Sequence, residues 1–193
     1  KNIYSGKIKG HRGNGDLIHF DTEQGNWHAS KVFKRPLDMD TSIKEDKYHT
    51  FALRTVGFKE RLEFIEYYLK EKIKEPSLVI IDGVADLCGD VNNIEQSNNL
   101  VSALMRISTQ CNVHIICVIH QNYGSQKLGT GHLGSALEKK AETVISLEAN
   151  TVNKDWITVK CGRSRGYSFE TFSFEVNKKG LPTIVGDLYD PLK

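Results

Sequence analysis

The chain has 193 residues, a length that suits one domain or one domain with a small appendage. Hydrophobic residues make up 39% and charged residues 26% of it, proportions that argue against a long disordered segment. Lysine and arginine number 26 against 24 aspartates and glutamates, so the overall charge indicates no partner and any nucleic-acid surface must be local. The longest apolar runs, Leu78–Ile81 and Ile115–Ile119, are far too short to cross a bilayer.

The cysteines and histidines show no metal-binding pattern. None of the four cysteines forms a CxxC pair, and most lie in or beside apolar stretches, so we expect free thiols in a reducing, cytoplasmic compartment. The seven histidines include no pair at zinc-ligand spacing, which predicts that there is no structural metal. His114 lies within an apolar run, where a hydrogen-bonded core histidine is the expected interpretation.

The first elements alternate between strand and helix. Residues Asp16–Asp21 and part of Tyr48–Val56 have the composition of short strands. The unbroken apolar run Leu78–Ile81 is typical of a strand buried on both faces. Between them, apolar residues at helical spacing predict a helix that Pro76 ends: Phe58, Leu62, Ile65, Leu69 and Ile73.

The alternation continues to about residue 150. Apolar positions from Ile94 to Ile107 predict a helix, and Val113–Ile119 predicts another buried strand. A short helix near Ser135–Ala141 then leads to a strand at Thr143–Leu147. Uninterrupted apolar strands that alternate with helices predict a mostly parallel sheet covered on both faces.

After Asn150 the pattern becomes β-rich. Trp156–Lys160, Thr171–Val176 and Thr183–Val185 are short strands separated by turn residues, with no room for helices. We expect antiparallel strands that extend one edge of the sheet. The predicted fold class is therefore α/β, a single domain with a parallel part over 1–150 and a β-rich edge over 151–193.

Polar residues follow several of the predicted strands. Asp21 and Glu23 follow the first strand, Asp82 closes the run LVII, and His120 and Gln121 follow the run VHIICVI. Because ligands of open parallel sheets bind outside the carboxyl ends of the strands, we expect these side chains to line one shared rim. Each of them alone would also suit a turn or a helix cap.

The segment LVIID has the form of a Walker B strand. Such a strand anchors a carboxylate, here Asp82, that holds the water shell of Mg²⁺ bound to a nucleoside triphosphate. The next residue is Gly83 rather than an acid, so a catalytic base has to come from another strand. Glu23 is the candidate, because it would share a side with Asp21 if the strand continues, and a solvated loop acid is the alternative.

Five segments in this order resemble the RecA-like core of P-loop ATPases: FDTEQ, LVIIDGVADL, VHIICVIHQN, GTGHLGSALEKKAETVISLE and WITVKCGRSRG. The pattern is most similar to the plasmid RepA-like (AAA-type) helicase branch. The resemblance implies ATP and Mg²⁺ as cofactors and DNA, single-stranded rather than duplex, as a partner. It also implies a homo-oligomeric ring, hexameric by family analogy, and no membrane association.

The same resemblance implies roles for the rim residues. Glu23 would orient and deprotonate the attacking water, and Asp82 would support the magnesium through water. Gln121, with His120, would sense the terminal phosphate and relay its state to the following loop.

A basic group late in the chain also matches the family. Arg163 and Arg165 correspond to the pair that reaches a neighbouring subunit's nucleotide, where an arginine stabilises the transferred phosphoryl group. Lys160 lies at the same strand end and is a further candidate for nucleotide binding. The alternative for these residues is a solvated basic turn.

The phosphate-binding loop itself, GxxxxGK[ST], does not occur in the sequence. In the family it comes before the strand that corresponds to Leu17–Phe20, and we expect its own strand to lie beside the Asp82 strand in the middle of the sheet. The expectation is therefore that an upstream segment is missing from this chain. The alternative is that the protein has lost ATP binding.

Three glycines, Gly129, Gly131 and Gly134, spell GxGxxG, and Glu148 follows at about the spacing of a ribose-binding acid. An NAD-binding oxidoreductase is therefore an alternative. A dinucleotide fingerprint starts directly at a strand end, however, and here polar residues intervene. We interpret 120–134 instead as a mobile loop that faces a central channel, in which the glycines permit rearrangement.

This loop is where the family contacts DNA. Tyr123, Lys127 and His132 are the candidates for binding the nucleic-acid backbone or stacking on bases. The stretch Gly83–Gln96, which carries acids and no Lys or Arg, is a poor candidate for phosphate binding. A simple surface connection is the alternative for both segments.

Together these patterns predict the core of an ATP-dependent DNA helicase or loader that hydrolyses ATP, with a role in plasmid or mobile-element replication or transfer. The alternative is a non-catalytic RecA-like module that binds DNA or a replication partner without ATPase activity.

Overall fold

The computed structural model describes residues 14–121 and 129–185. These residues form two compact units, one within 14–140 and the other within 141–185. The boundary falls ten residues before the position predicted for the change from parallel to β-rich structure, because the strand predicted at Thr143–Leu147 belongs to the second unit.

The first unit is built on a parallel sheet with the order β2-β1-β3-β4. Its strands are β1 (Asp16–Asp21), β2 (Tyr48–Ala52), β3 (Pro76–Asp82) and β4 (His114–Val118). All three strand pairs are parallel, so the carboxyl ends of the four strands lie at the same edge. The parallel α/β architecture expected from the sequence is confirmed.

Four helices connect and cover the strands: α1 (Asn26–Met39), α2 (Phe58–Glu71), α3 (Ile94–Gln110) and α4 (Gly131–Lys140). Phe20 of β1 packs against Phe64 of α2, whereas the neighbouring His19 packs edge-on against Phe33 of α1. Because successive side chains of a strand point to opposite faces, α1 and α2 cover opposite faces of the sheet.

Residues from three strands and three helices form one apolar core. Phe20, Val79 and Ile81 of the sheet are completely buried, as are Ile65 of α2 and Ile107 of α3. Burial of apolar side chains from every layer stabilises the unit through removal of their surface from water. His19 is also buried, and this burial lowers its pKa to about 4, so it is neutral at pH 7.

Helix α1 is the element that the sequence analysis missed. It contains Pro36, and it presents only Ala29 as a fully buried residue. A proline inside a helix removes one backbone hydrogen bond, and a mostly polar helix lacks a clear apolar stripe. Both features hide a helix whose position is set by packing against β1 and β2.

Three expectations about strand burial and pairing are wrong. Strand β3 pairs with β1 on one side and β4 on the other, so no strand can lie beside it in the way expected for a phosphate-loop strand. Strand β4 is not buried on both faces, because Ile116 and Val118 are each 42% exposed. His114 in the same strand is exposed and is not a core histidine.

The second unit is an antiparallel sheet with the order β5-β6-β7-β8. Its strands are β5 (Thr143–Ala149), β6 (Trp156–Ser164), β7 (Phe172–Val176) and β8 (Pro182–Val185). The antiparallel strands are confirmed, but among the described residues they form a sheet of their own rather than a hydrogen-bonded extension of the parallel one. The first unit carries the larger core, and Val159 is the buried apolar residue of the second.

All four cysteines are free thiols and partly buried. Over the described ranges, the helices include none with the length and apolarity needed to cross a membrane.

The core predicts a large effect of truncating Phe20, whose ring stacks on Phe51 with 5.3 Å between ring centroids. Phe20→Ala should lower the free energy of unfolding by about 3–5 kcal/mol, because it removes buried surface and leaves a cavity. Urea unfolding followed by circular dichroism measures this change. Trp27→Ala is the matched control, since Trp27 is 64% exposed and its loss should cost less than about 1 kcal/mol. Equal losses in the two variants would contradict this account of the core.

Candidate functional site at the carboxyl edge of the parallel sheet

The register of the parallel sheet brings two carboxylates side by side. Asp21 ends β1 and Asp82 ends β3, and the two residues are paired across neighbouring strands. Asp82 is also paired with Val118 of β4, two residues before His120. The predicted rim therefore forms at the carboxyl ends of β1, β3 and β4.

The turn after β1 is organised by Asp21, which is completely buried. Its Oδ1 atom accepts hydrogen bonds from the backbone N–H groups of Glu23 at 3.0 Å and Gln24 at 2.7 Å. This is the pattern in which an aspartate side chain closes a turn over the residues that follow it. The chain therefore turns at Thr22 and carries Glu23 to the rim.

Thr22 fastens the two strand ends together. Its backbone N–H donates to the carbonyl of Asp82 at 2.6 Å, and its hydroxyl accepts the N–H of Gly83 at 2.9 Å. The single hydroxyl proton has two acceptors within reach, the Gly83 carbonyl at 2.8 Å and Asp86 Oδ2 at 3.0 Å. The Asp82–Gly83 peptide bond held in this way is cis.

The Glu23 carboxylate lies directly over Gly83. A Cβ atom at position 83 would collide with Glu23 Oε1, so the space that a side chain would fill is taken by the carboxylate. Its other oxygen, Oε2, is 3.4 Å from Nε2 of His120. The glycine after the Walker B aspartate is therefore required by the position of Glu23.

Negative charge is concentrated at this edge. Burial raises the pKa of Asp82, and the charges of Asp21 and then Glu23 raise it further, while His120 opposes the shift. One oxygen of Asp21, Oδ2, is buried and receives no hydrogen bond within the described part of the chain. Three carboxylates facing one imidazole form an environment that favours a cation.

The donor set fits a hard cation such as Mg²⁺, which prefers oxygen ligands and keeps several of its waters. Over residues 14–121 and 129–185, no three Asp, Glu, His or Cys side chains converge closely enough to bind a metal ion directly. Carboxylates that bind through water, as predicted for Asp82, agree with this geometry.

Of the predicted rim residues, the structure brings together Glu23, Asp82 and His120. Gln121 follows His120 and forms an isolated antiparallel bridge with Gly129. The sequence analysis recognised the rim position of Asp21 but gave it no role, and it did not consider Thr22. The signal for both was present in the run Asp-Thr-Glu, since aspartate and threonine commonly close turns through their side chains.

The stem of the glycine-rich loop is closed. Thr130 donates to the carbonyl of His120 through both its N–H, at 3.0 Å, and its hydroxyl, at 2.8 Å. Gly129 and Gly134 lie in such close contact that a Cβ on either would meet the other's backbone, and Gly131 has a φ of +66°. These glycines meet the needs of close approach and a left-handed conformation; rearrangement of the loop stays a prediction.

The glycines do not form a dinucleotide fingerprint. Strand β4 ends at Val118, and Gly131 already begins α4. Glu148 lies in β5 and pairs with Lys160 at 3.0 Å, so the NAD-binding alternative is wrong in its structural premise. Of the predicted nucleic-acid contacts, His132 is exposed on α4, and Tyr123 and Lys127 lie outside the described residues.

The predicted arginine pair lies in the second unit. Arg163 is near the end of β6 and Arg165 follows it, and both are exposed. Arg165 is held by backbone and side-chain bonds to the carbonyls of Glu142 and Ala141. Lys160, on the same strand, donates to Glu148 Oε2 at 3.0 Å.

Solved structures share this fold. The ATPase domain of one DnaB-like helicase superimposes with a TM-score of 0.63 at 13% identity, over 90% of this chain and 75% of that one. A second DnaB-like replicative helicase, whose structure was described with its interactions with primase, superimposes with a TM-score of 0.61 at 13% identity. That match covers 88% of this chain and 50% of the helicase, so the chain spans half the length of that relative.

These similarities show the fold, which is that of RecA-like P-loop ATPase domains, as the order of motifs predicted. The finer assignment to the plasmid RepA-like branch stays a prediction. No protein-family model and no curated protein matches the sequence.

The Thr22 hydroxyl predicts a distinctive pair of variants. Thr22→Val keeps the shape of the side chain but leaves the buried N–H of Gly83 without its acceptor, which should cost roughly 1–3 kcal/mol of unfolding free energy. Thr22→Ser retains the hydroxyl and should remain closer to the wild type. Chemical denaturation compares the three proteins, and a Thr22→Ser variant as unstable as Thr22→Val would show that the hydroxyl is not the stabilising group.

Proposed function

We propose that this chain is the core of an ATP-dependent motor of the DNA helicase or loader type. The observation that supports it is the convergence of Glu23, Asp82 and His120 at the carboxyl edge of a parallel sheet. Ligands of such sheets bind at this edge, and the RecA-like fold makes a nucleotide the first candidate.

The proposed reaction is attack of water on the γ-phosphate of ATP. An oxygen of Glu23 would take the proton of that water, because it is held over Gly83 with its other oxygen near His120. Asp82 would hold Mg²⁺ through water, and the ion would neutralise charge on the phosphates. His120 and Gln121, at the end of β4, would respond to the terminal phosphate and pass its state to the glycine-rich loop.

The phosphate-binding loop would have to be supplied by a segment other than the printed sequence, which contains no GxxxxGK[ST]. Because β3 is paired on both sides, we place the strand that carries this loop against β4. In the described residues β4 pairs with β3 alone, and its Ile116 and Val118 are 42% exposed. A further strand would satisfy the edge and bury these side chains.

The remaining features of the proposal extend it to an assembly. Arg163 and Arg165 would act on the nucleotide of a neighbouring subunit in a homo-oligomeric, hexameric ring, with Lys160 as a further phosphate contact. Tyr123, Lys127 and His132 would contact single-stranded DNA in the channel. The cellular setting that we propose is cytoplasmic replication or transfer of a plasmid or other mobile element.

The absence of GxxxxGK[ST] from the sequence also favours a second candidate, a RecA-like module that binds DNA or a replication partner without hydrolysis. ATP titration of the full-length protein, with and without single-stranded DNA, separates the two functions. Saturable binding with turnover supports the motor, and DNA binding without any response to ATP supports the module.

The first functional prediction concerns Glu23. Glu23→Gln in the full-length protein should lower the turnover number for ATP by about 10²–10⁴-fold, because the amide cannot accept the proton from water. ATP affinity should stay within a few-fold of the wild type. Steady-state phosphate release and nucleotide binding measure the two effects. Glu63→Gln on the exposed side of α2 is the matched control, and unchanged turnover in Glu23→Gln with ATP still bound rules out Glu23 as the base.

The second concerns the arginines. Arg163→Ala or Arg165→Ala subunits keep Asp82, whereas Asp82→Ala subunits keep both arginines, so mixed rings should contain interfaces with one complete site. ATP turnover of the mixture should therefore exceed that of either variant alone. Each variant incubated with itself is the control. A mixture no more active than its components argues against action across an interface.

A further inference from the structure

We infer that Asp21 is a positioning residue for Glu23, which it holds in its reactive place through the backbone without itself touching the nucleotide. This inference rests on the proposed function, because it assigns Glu23 the role of the base. Its evidence is separate, however, and consists of the contacts made by the Asp21 carboxylate.

The acceptor atom is fixed more firmly than the residue it holds. Asp21 is completely buried, and its strand β1 lies between β2 and β3. Its carbonyl accepts the N–H of Leu53 at 2.7 Å, so the backbone of Asp21 is tied to the strand beyond. A side chain on such a backbone presents its oxygen at a constant position.

Both hydrogen bonds to Oδ1 come from the segment that carries the base. The N–H groups of Glu23 and Gln24 donate to it at 3.0 Å and 2.7 Å. Glu23 is thus held at two points, by this turn at its backbone and by the surface of Gly83 at its carboxylate. Loss of the turn leaves the carboxylate free to move away from Gly83 and His120, and small displacements of a reacting group are expensive in rate.

The two oxygens of Asp21 have different situations. Oδ1 accepts two N–H groups, whereas Oδ2 accepts none among the described residues. An asparagine can present its carbonyl oxygen in the place of Oδ1 and thereby keep the turn. An alanine has no acceptor, so the turn loses both hydrogen bonds. The pair of substitutions therefore separates the acceptor from the charge.

The test compares Asp21→Ala, Asp21→Asn and the wild type in the full-length protein by steady-state ATP turnover. We expect Asp21→Ala to lower kcat by roughly ten- to a hundred-fold while KM for ATP changes less than about threefold. Asp21→Asn should restore most of the rate, to within about threefold of the wild type. A residue that merely supports the fold would not give this split between kcat and KM or this rescue.

Asp16→Asn is the matched control. Asp16 is the other buried carboxylate of β1, but it lies at the opposite end of the strand and pairs with Lys47 at 3.0 Å. Its substitution should lower stability and leave kcat unchanged. Asp21→Ser, which keeps one short acceptor, serves if Asp21→Ala does not fold, and its kcat should fall between those of Asp21→Asn and the unrescued level of Glu23→Gln.

The outcomes are distinct. Wild-type kcat in folded Asp21→Ala, an Asp21→Asn variant as slow as Asp21→Ala, or Asp21→Ser faster than Asp21→Asn overturns the inference alone. The same loss of kcat in Asp16→Asn also overturns it. If the full-length wild type shows no ATP turnover, the proposed function fails and the inference fails with it.

Discussion

The hydrogen bonds of Thr22 across the ends of β1 and β3 are the constraint on which the site depends. Parallel pairing sets Asp21 beside Asp82, an arrangement that like charges oppose. The backbone and hydroxyl of Thr22 hold both strand ends through Asp82 and Gly83, so this opposition does not separate them. Every other feature of the rim, including the place of Glu23 over Gly83, follows from the same short connection.

The rim is an unfavourable place for charge in the protein alone. Burial and neighbouring carboxylates raise the pKa of Asp82, which means that its ionised form is disfavoured in the folded state. Such clusters are common at functional sites, where the fold tolerates an electrostatic cost because a ligand relieves it. A cation that binds through water would lower this cost, which connects the local electrostatics to the proposed chemistry of a magnesium nucleotide.

The two units divide the proposed work. The parallel unit holds the groups that act on water and on magnesium, whereas the antiparallel unit carries Lys160, Arg163 and Arg165 on β6 or directly after it. The open side of β4 and the absent phosphate loop concern the same part of the proposed site. A complete nucleotide site would thus draw on a further strand and on a neighbouring subunit.

The sequence alone determined the elements and their class, because apolar spacing is a local property. The periods of β1, α2, β3 and α3 were readable in short windows, and acids after apolar strands indicated a rim. Strand order was not readable: it set β3 between β1 and β4, left β4 half exposed and placed β5 in a second sheet. The same applies to α1, to the neighbours of His114 and to the role of Gly83, since each depends on which distant segment lies alongside. Pairing between remote strands is decided by packing of the whole chain, and only the tertiary structure contains it.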